Sequence, residues 1–166
     1  SVAVGYGALR LVACTGGGQY TGMNTGVGHR AAGSVATGVA NTSVGFETFV
    51  NAAGASSYNT EIATRAGYRL GDDGASVHSS QNTLIGYLAM GGGHSTVANN
   101  TAHANVAIGY RAGGGLTGTS TSLTSTNLVA IGHDAMNAVS TGSSNVAIGK
   151  DSGQAITTGA FNTCIG

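Results

Sequence analysis

The sequence predicts an all-β fold, a parallel β-solenoid in which short equivalent strands stack from one coil to the next. Three observations predict it. A phrase of the type "NVAIGYRAG" returns along the whole chain, its copies are spaced at two preferred intervals, and its β-branched residues recur at fixed positions. Repeats of this length are the signature of stacked architectures, in which each unit buries its faces against its neighbours. We therefore expect residues 1–166 to form a single repeat-solenoid segment.

The spacing is measured between the glycines that end each copy, which we call the anchors. The successive intervals are 23, 17, 18, 23, 23, 23, 17 and 17 residues. Random glycine richness does not produce two preferred lengths, so the spacing predicts coils of 17 and 23 residues, with loops formed by the six extra residues. The anchors are Gly5, Gly28, Gly45, Gly86, Gly109, Gly132, Gly149 and Gly166, with Ala63 replacing glycine once.

Two β-branched positions precede every anchor and predict a strand in each coil. Residues two apart share one face of a strand, and β-branched residues favour strands. The residue between them is mostly small, and the sequence leaves open which face points inward. The position before the anchor holds Val4, Val27, Val44, Ile62, Ile85, Ile108, Ile131, Ile148 and Ile165; two residues earlier stand Val2, Thr25, Thr42, Thr60, Thr83, Val106, Val129, Val146 and Thr163.

Asparagine stands four residues before the anchor in seven of nine copies. Asparagine tolerates left-handed backbone and bonds its own backbone, so it predicts the corner at which the chain turns into the strand. The anchor glycine is expected to release the chain at the next corner. These residues are Asn24, Asn41, Asn59, Asn82, Asn105, Asn145 and Asn162.

Composition excludes several classes of protein. Six basic and six acidic residues give a formal net charge of zero, so polycationic binding to nucleic acid or to an anionic membrane is not expected. No apolar stretch approaches the roughly 20 residues of a membrane-spanning helix. The two cysteines, Cys14 and Cys164, are expected to be isolated thiols. Because the chain starts and stops inside the recurring phrase, we expect a section of a longer fibre.

A lone chain has few residues with which to build a core. There are three phenylalanines and no tryptophan, and the candidates for burial are Val, Ile, Thr and Ala. Since repeat proteins need continuous burial, we expect a homotrimer whose chains meet around a common axis.

The copies "NVAIGYRAG", "NTLIGYLAM" and "NVAIGKDSG" resemble the repeats of trimeric autotransporter adhesin heads, and still more those of bacteriophage tail-fibre and spike proteins. The resemblance covers essentially the whole chain. It implies a trimeric, left-handed parallel β-roll or related β-helix in a virion tail or on a cell surface. Adhesin heads have shorter and more uniform coils, so the alternation of coil lengths favours the phage group and leaves handedness open.

The sequence predicts a non-enzymatic structural and adhesive segment with no catalytic residue, cofactor or metal. A glycan-cleaving tailspike is an alternative, because such enzymes use paired carboxylates; the acids are Glu47, Glu61, Asp72, Asp73, Asp134 and Asp151. An acyltransferase would need a six-residue aliphatic repeat, which fails at Asn137. An ice-binding solenoid, suggested by "TGTSTSLTST", is a further alternative, although those threonines cluster in one loop.

Ring-bearing residues give the remaining candidates. His29 and His133 follow anchors, where other copies carry Tyr or Phe, and a trimer could gather such histidines around an ion. The sequence favours instead a flat side chain that covers the corner. For binding to a host glycan or protein we select loop residues, since rigid scaffolds present binding residues on loops. They are Tyr20, Tyr58, Tyr68 and Arg69.

Overall fold

The protein is a parallel β-solenoid, as expected. The computed structural model describes residues 1–10, 22–35, 38–50, 56–70, 79–91, 101–114 and 123–166. Within these ranges nine three-residue strands form one parallel sheet in chain order, and there is no helix. The strands are β1 (Val2–Val4), β2 (Thr25–Val27), β3 (Thr42–Val44), β4 (Thr60–Ile62), β5 (Thr83–Ile85), β6 (Val106–Ile108), β7 (Val129–Ile131), β8 (Val146–Ile148) and β9 (Thr163–Ile165).

The predicted rows of equivalent residues are confirmed by the strand register. Ile108 pairs with Ile85 on one side and with Ile131 on the other, and the same register holds for every neighbouring pair. A chain that returns to the same position after each coil stacks its β-branched residues in continuous rows. Local sequence spacing therefore sets the long-range order of this fold.

The middle residue of each strand points inward, which answers the question left open by the sequence. Ala107, Ala130 and Leu84 are fully buried, whereas the β-branched residues on either side of them are half-buried or exposed. Valine, isoleucine and threonine, which were candidates for the interior, thus face outward in each chain. Small middle residues fit a narrow interior in which the walls of one coil approach closely.

A second interior row alternates large and small residues. A Cβ atom added to Gly113 would lie 3.1 Å from Cγ of Met90, and one added to Gly67 would lie 3.4 Å from the ring of Phe49. Each large side chain therefore fills the space above the glycine of the next coil. The row consists of Leu9, Ala32, Phe49, Gly67, Met90, Gly113, Met136 and Gly153.

The asparagines mark corners, as predicted, but they act differently from the expectation. The left-handed residue is the one before the asparagine, such as Tyr58 with φ 60°. The asparagine side chain bonds neighbouring coils: Oδ1 of Asn41 accepts from the backbone N–H and from Nδ2 of Asn59, both at 3.0 Å. Nδ2 of Asn59 also donates to the carbonyl of Ser79 at 2.8 Å. We call this row the asparagine ladder; Leu128 interrupts it between Asn105 and Asn145.

The anchor glycines release the chain from each strand with φ between 122° and 137°, as predicted. A Cβ atom on Gly109 would lie 2.4 Å from the carbonyl oxygen of Gly132, so the anchors of successive coils touch backbone to backbone. Ala63 takes this place with φ 104°. Across the described part of the chain, no helix has the length and apolar character needed to span a bilayer.

Candidate functional site

The outward side of the sheet is a regular surface that runs along all nine strands. We call it the β-branched face and define it as the first and third residues of the nine strands. With neighbouring strands about 4.8 Å apart, this face extends for about 40 Å. Contiguous apolar surface of this kind marks an interaction site in soluble proteins.

A ladder of stacked rings borders the β-branched face. It consists of the residues that directly follow the anchors, and two runs of three rings are stacked: Tyr6, His29 and Phe46, then Tyr87, Tyr110 and His133. Ring centroids in adjacent coils lie 4.7 to 5.6 Å apart. We call this row the ring ladder. His29 and His133 thus stack on their neighbours in the same way as the tyrosine and phenylalanine rings at the equivalent positions of other coils.

The ring ladder is broken at Thr64 and again at Lys150, neither of which carries a ring. Ile62 and Ile148, the strand residues of these same two coils, are each 39% exposed. In the intervening coils Ile85, Ile108 and Ile131 are less exposed. The missing ring therefore uncovers the β-branched face at each break.

A charged corner lies one residue beyond the ring ladder. Glu47 accepts hydrogen bonds from Nη1 of Arg30 at 2.9 Å and from Nε of Arg65 at 3.0 Å. The bond to Glu47 raises the pKa of Arg65. The carboxylate is 10% exposed, and the Arg65 side chain is 41% exposed. This corner joins three consecutive coils through alternating charges.

One group of side chains has the composition of a cation site. Ligand atoms of His133, Asp134 and Asp151 lie within 4.8 Å of one another. Both carboxylates already have cationic neighbours, since Nε of Arg111 lies 3.4 Å from Oδ1 of Asp134 and Nζ of Lys150 bonds Asp151. Nδ1 of His133 is 3.0 Å from Oδ2 of Asp134. The group is therefore a network of ion pairs around the end of the ring ladder.

Glu61 is a carboxyl group inside the solenoid. It is fully buried at the middle position of β4, where other strands carry small or apolar residues. The hydroxyl of Ser43 donates to Oε2 at 2.9 Å, and Oε1 has no hydrogen-bond partner among the described residues. Burial raises the pKa of Glu61 well above its ordinary value of 4.5. The group therefore favours the neutral form.

The predicted receptor residues lie on two parts of the coil. Tyr58, 61% exposed, occupies the corner before β4. Tyr68 lies after the charged corner, where the guanidinium carbons of Arg65 and Arg69 are 5.2 and 5.8 Å from its ring centre. Tyr20 lies outside the described residues, as do Asp72, Asp73 and Cys14, while Cys164 is a free, half-buried thiol.

The sequence prediction missed the ring-ladder break formed by Phe46, Thr64 and Tyr87. The signal was present, because aligning the copies places threonine where three copies on each side carry a ring. This threonine indicates a gap only if these positions are known to stack on one another, and the stacking follows from the strand register.

Fold and surface together define the class of this molecule: an all-β repeat protein built as a parallel β-solenoid with an exposed β-branched face. Comparison with protein-family models, with curated proteins and with solved structures finds no match.

Proposed function

We propose that the chain is a non-enzymatic structural and adhesive segment of a bacteriophage tail fibre or bacterial surface adhesin. It forms a rigid shaft at the virion tail or cell surface and presents loops to a host receptor. The observation that carries the proposal is the continuous β-branched face. A rod with one continuous row of valine and isoleucine about 40 Å long is suited to assembly with further copies along that row.

The partner on this face is a second and a third copy of the same chain. One row of valine and isoleucine repeats at every coil, so identical chains can pack with these rows against each other along the full length. Such packing removes from water the apolar surface that a lone chain leaves exposed. The number three comes from the resemblance to trimeric fibres.

The acids support a non-enzymatic segment over a glycan-cleaving spike. Glycan hydrolysis needs two carboxyl groups that face a common sugar bond. Glu47 is held between two arginines, and Glu61 is buried. Asp134 and Asp151 have cationic neighbours. Release of new reducing ends from a host polysaccharide by the purified protein would overturn this part of the proposal.

Mass measurement under native conditions tests assembly directly. We expect three copies for the wild-type protein and a single copy for Ile108→Lys, which places a charge in the middle of the β-branched face. Tyr58→Lys, at an exposed site that is not part of this face, is the matched control and should keep three copies. A wild-type protein of one copy, or an assembled Ile108→Lys variant with native circular dichroism, would contradict the proposal.

One observation favours an ice-binding solenoid as the second candidate. Thr25, Thr42, Thr60 and Thr83 form an outward row on four successive strands. The threonines thus recur at every coil in this part of the sheet, unlike those of the loop. Thermal hysteresis of a single-copy protein would favour this candidate, and its absence would remove it.

A further inference from the structure

We infer that the break in the ring ladder at Thr64 is a binding slot for one sugar ring of a glycan, which stacks between Phe46 and Tyr87. The inference deepens the proposed adhesive function, on which it rests, and moves recognition from the loops to the coil itself. The slot is formed by three consecutive coils, one for each of these residues.

The spacing of the ladder gives the slot its width. Neighbouring rings lie 4.7 to 5.6 Å apart wherever two coils in succession carry them. Phe46 and Tyr87 are separated by two strand spacings, about 9.6 Å. A gap of this size holds one further ring at ordinary stacking distance from both neighbours. Phe46 and Tyr87 are 45% and 40% exposed, so the gap opens to solvent.

The exposure of the strand beneath the gap in the single chain is an independent indication that the chain itself does not fill this space. Ile62 is 39% exposed, whereas Ile85 and Ile108, which lie beside tyrosines, are less exposed. Ile148 has the same 39% exposure beside Lys150. The coil of Ile148 has a ring only on one side, His133, so within the described residues the coil of Thr64 alone lies between two rings.

The backbone beneath the slot is also slightly wider than in equivalent places. The N–H of Leu88 lies 3.3 Å from the carbonyl oxygen of Thr64. The equivalent bond from Arg111 to Tyr87 is 2.9 Å, as is that from Asp134 to Tyr110. The coil of Thr64 nevertheless remains paired with both neighbouring coils, by this bond on one side and by the bond from Arg65 to Phe46 at 3.0 Å on the other.

The lining fits a sugar better than it fits an aromatic side chain. A pyranose has apolar C–H faces, which pack on Phe46 and Tyr87, and a polar edge of hydroxyl groups. Thr64 carries a hydroxyl group beside that edge, and Arg65, next in the chain and 41% exposed, carries a guanidinium group that also binds Glu47. An aromatic ligand would contact only the two rings and neither of these polar groups. Pockets with apolar walls and a few polar groups are typical of small-ligand sites.

Saturation-transfer NMR on the purified protein tests the slot. The probes are the methyl glycosides of glucose, galactose, N-acetylglucosamine and glucuronic acid. We expect ring protons of at least one glycoside to receive saturation from the wild-type protein. Thr64→Tyr, which completes the ladder, should weaken this binding at least tenfold, and Tyr87→Ala should also weaken it. Thr64→Ser keeps the gap and the hydroxyl and should bind like the wild type.

Phe161→Ala is the matched control, because it removes an exposed ring outside the ladder. Unchanged binding in Thr64→Tyr, or loss of binding in Phe161→Ala alone, would overturn the inference. So would binding of N-acetyltryptophanamide without binding of any glycoside. Thr64→Tyr should melt no lower than the wild type because it adds stacking, so its lost binding cannot be attributed to unfolding.

Native mass measurement on the same samples separates the two proposals. Three copies that bind no glycoside would leave the fibre assignment standing and remove the slot. A single copy that binds glycoside in a manner sensitive to Thr64→Tyr would keep the slot and remove the trimeric shaft.

Discussion

Two coils of the solenoid, one around β4 and one around β6, have the same backbone conformation. They differ in the side chains at the interior, anchor and ring-ladder positions. Arg65 and Arg111 take the same place after the strand, with φ 57° and 52°. Their N–H groups donate to the carbonyls of Phe46 and Tyr87 at 3.0 and 2.9 Å. Yet the interior, anchor and ladder positions of β6 hold Ala107, Gly109 and Tyr110, whereas the β4 coil holds Glu61, Ala63 and Thr64.

The comparison shows which features of a coil carry the fold. Both coils keep the backbone bonds between coils and an asparagine that bonds the coil on each side, so these bonds form a frame that does not depend on the inward or outward side chains. The β4 coil departs at three side-chain positions and still stacks in register. The frame therefore allows a single coil to carry unusual side chains without loss of the fold. The β4 coil is such a coil, and we call it the specialised coil.

The largest expected effect comes from replacing the anchor glycine of the β6 coil by alanine, the residue that the β4 coil has at this position. Gly109→Ala places a Cβ atom 2.4 Å from the carbonyl oxygen of Gly132. The alanine is strained in a left-handed backbone conformation, and its Cβ atom also overlaps the neighbouring backbone. Because the two effects add, we expect a loss of about 4 kcal/mol in the free energy of unfolding. Urea denaturation measures it.

Ala107→Ser is a matched control in the same strand, because serine already occupies this position as Ser43. It should cost much less than the anchor substitution. A loss below about 1 kcal/mol for Gly109→Ala would mean that the anchors relax as easily as Ala63 does, and the distinction between the two coils would fail.

The frame is tested next by removing one asparagine from each coil. The Asn59 side chain makes four bonds, to Asn41, to Ser79 and two with Asn82. Asn105 makes three, because Leu128 has no side-chain amide and donates only its backbone N–H to Oδ1 of Asn105. We expect Asn59→Ala to cost about 3 kcal/mol and Asn105→Ala about 2 kcal/mol, since buried polar groups lose their partners. Equal losses in the free energy of unfolding for the two variants, measured by urea denaturation, would contradict a ladder of pairwise bonds.

These two coils also show how far the sequence could predict the molecule. The strands, the anchors and the rows were predictable, because period-two patterning and glycine spacing are local properties. The inward direction of Ala107 and Glu61 was not, since either face of a three-residue strand could line the interior. Asn59 bonds residues 18 and 23 positions away, and a corner motif alone does not contain this information. The slot at Thr64 likewise depends on contacts between coils.

The buried carboxyl group is expected to make stability depend on pH. Burial raises the pKa of Glu61 in the folded protein, so its contribution is fully present below pH 4.5 and is lost as the pH rises through the folded value. Glu61→Gln should remove this decline and stabilise the protein at neutral pH, by about 2 kcal/mol, because folding then no longer requires a carboxylate to take up a proton. Asp151→Asn, an exposed carboxyl site, should keep the wild-type decline. Parallel pH profiles for wild type and Glu61→Gln in denaturation would contradict the burial of this group.

The smallest expected effect is the reverse exchange of anchors, Ala63→Gly. Ala63 has φ 104°, a left-handed conformation that strains a residue with a Cβ atom and that glycine adopts without cost. We expect a gain of about 1 kcal/mol, reduced by the greater freedom of glycine in the unfolded chain. The gain should appear as a higher urea midpoint with an unchanged slope. Glycoside binding at Thr64 should persist, since both walls of the slot belong to other coils; its loss would show that Ala63 itself shapes the slot, and the specialised coil would then act as one unit.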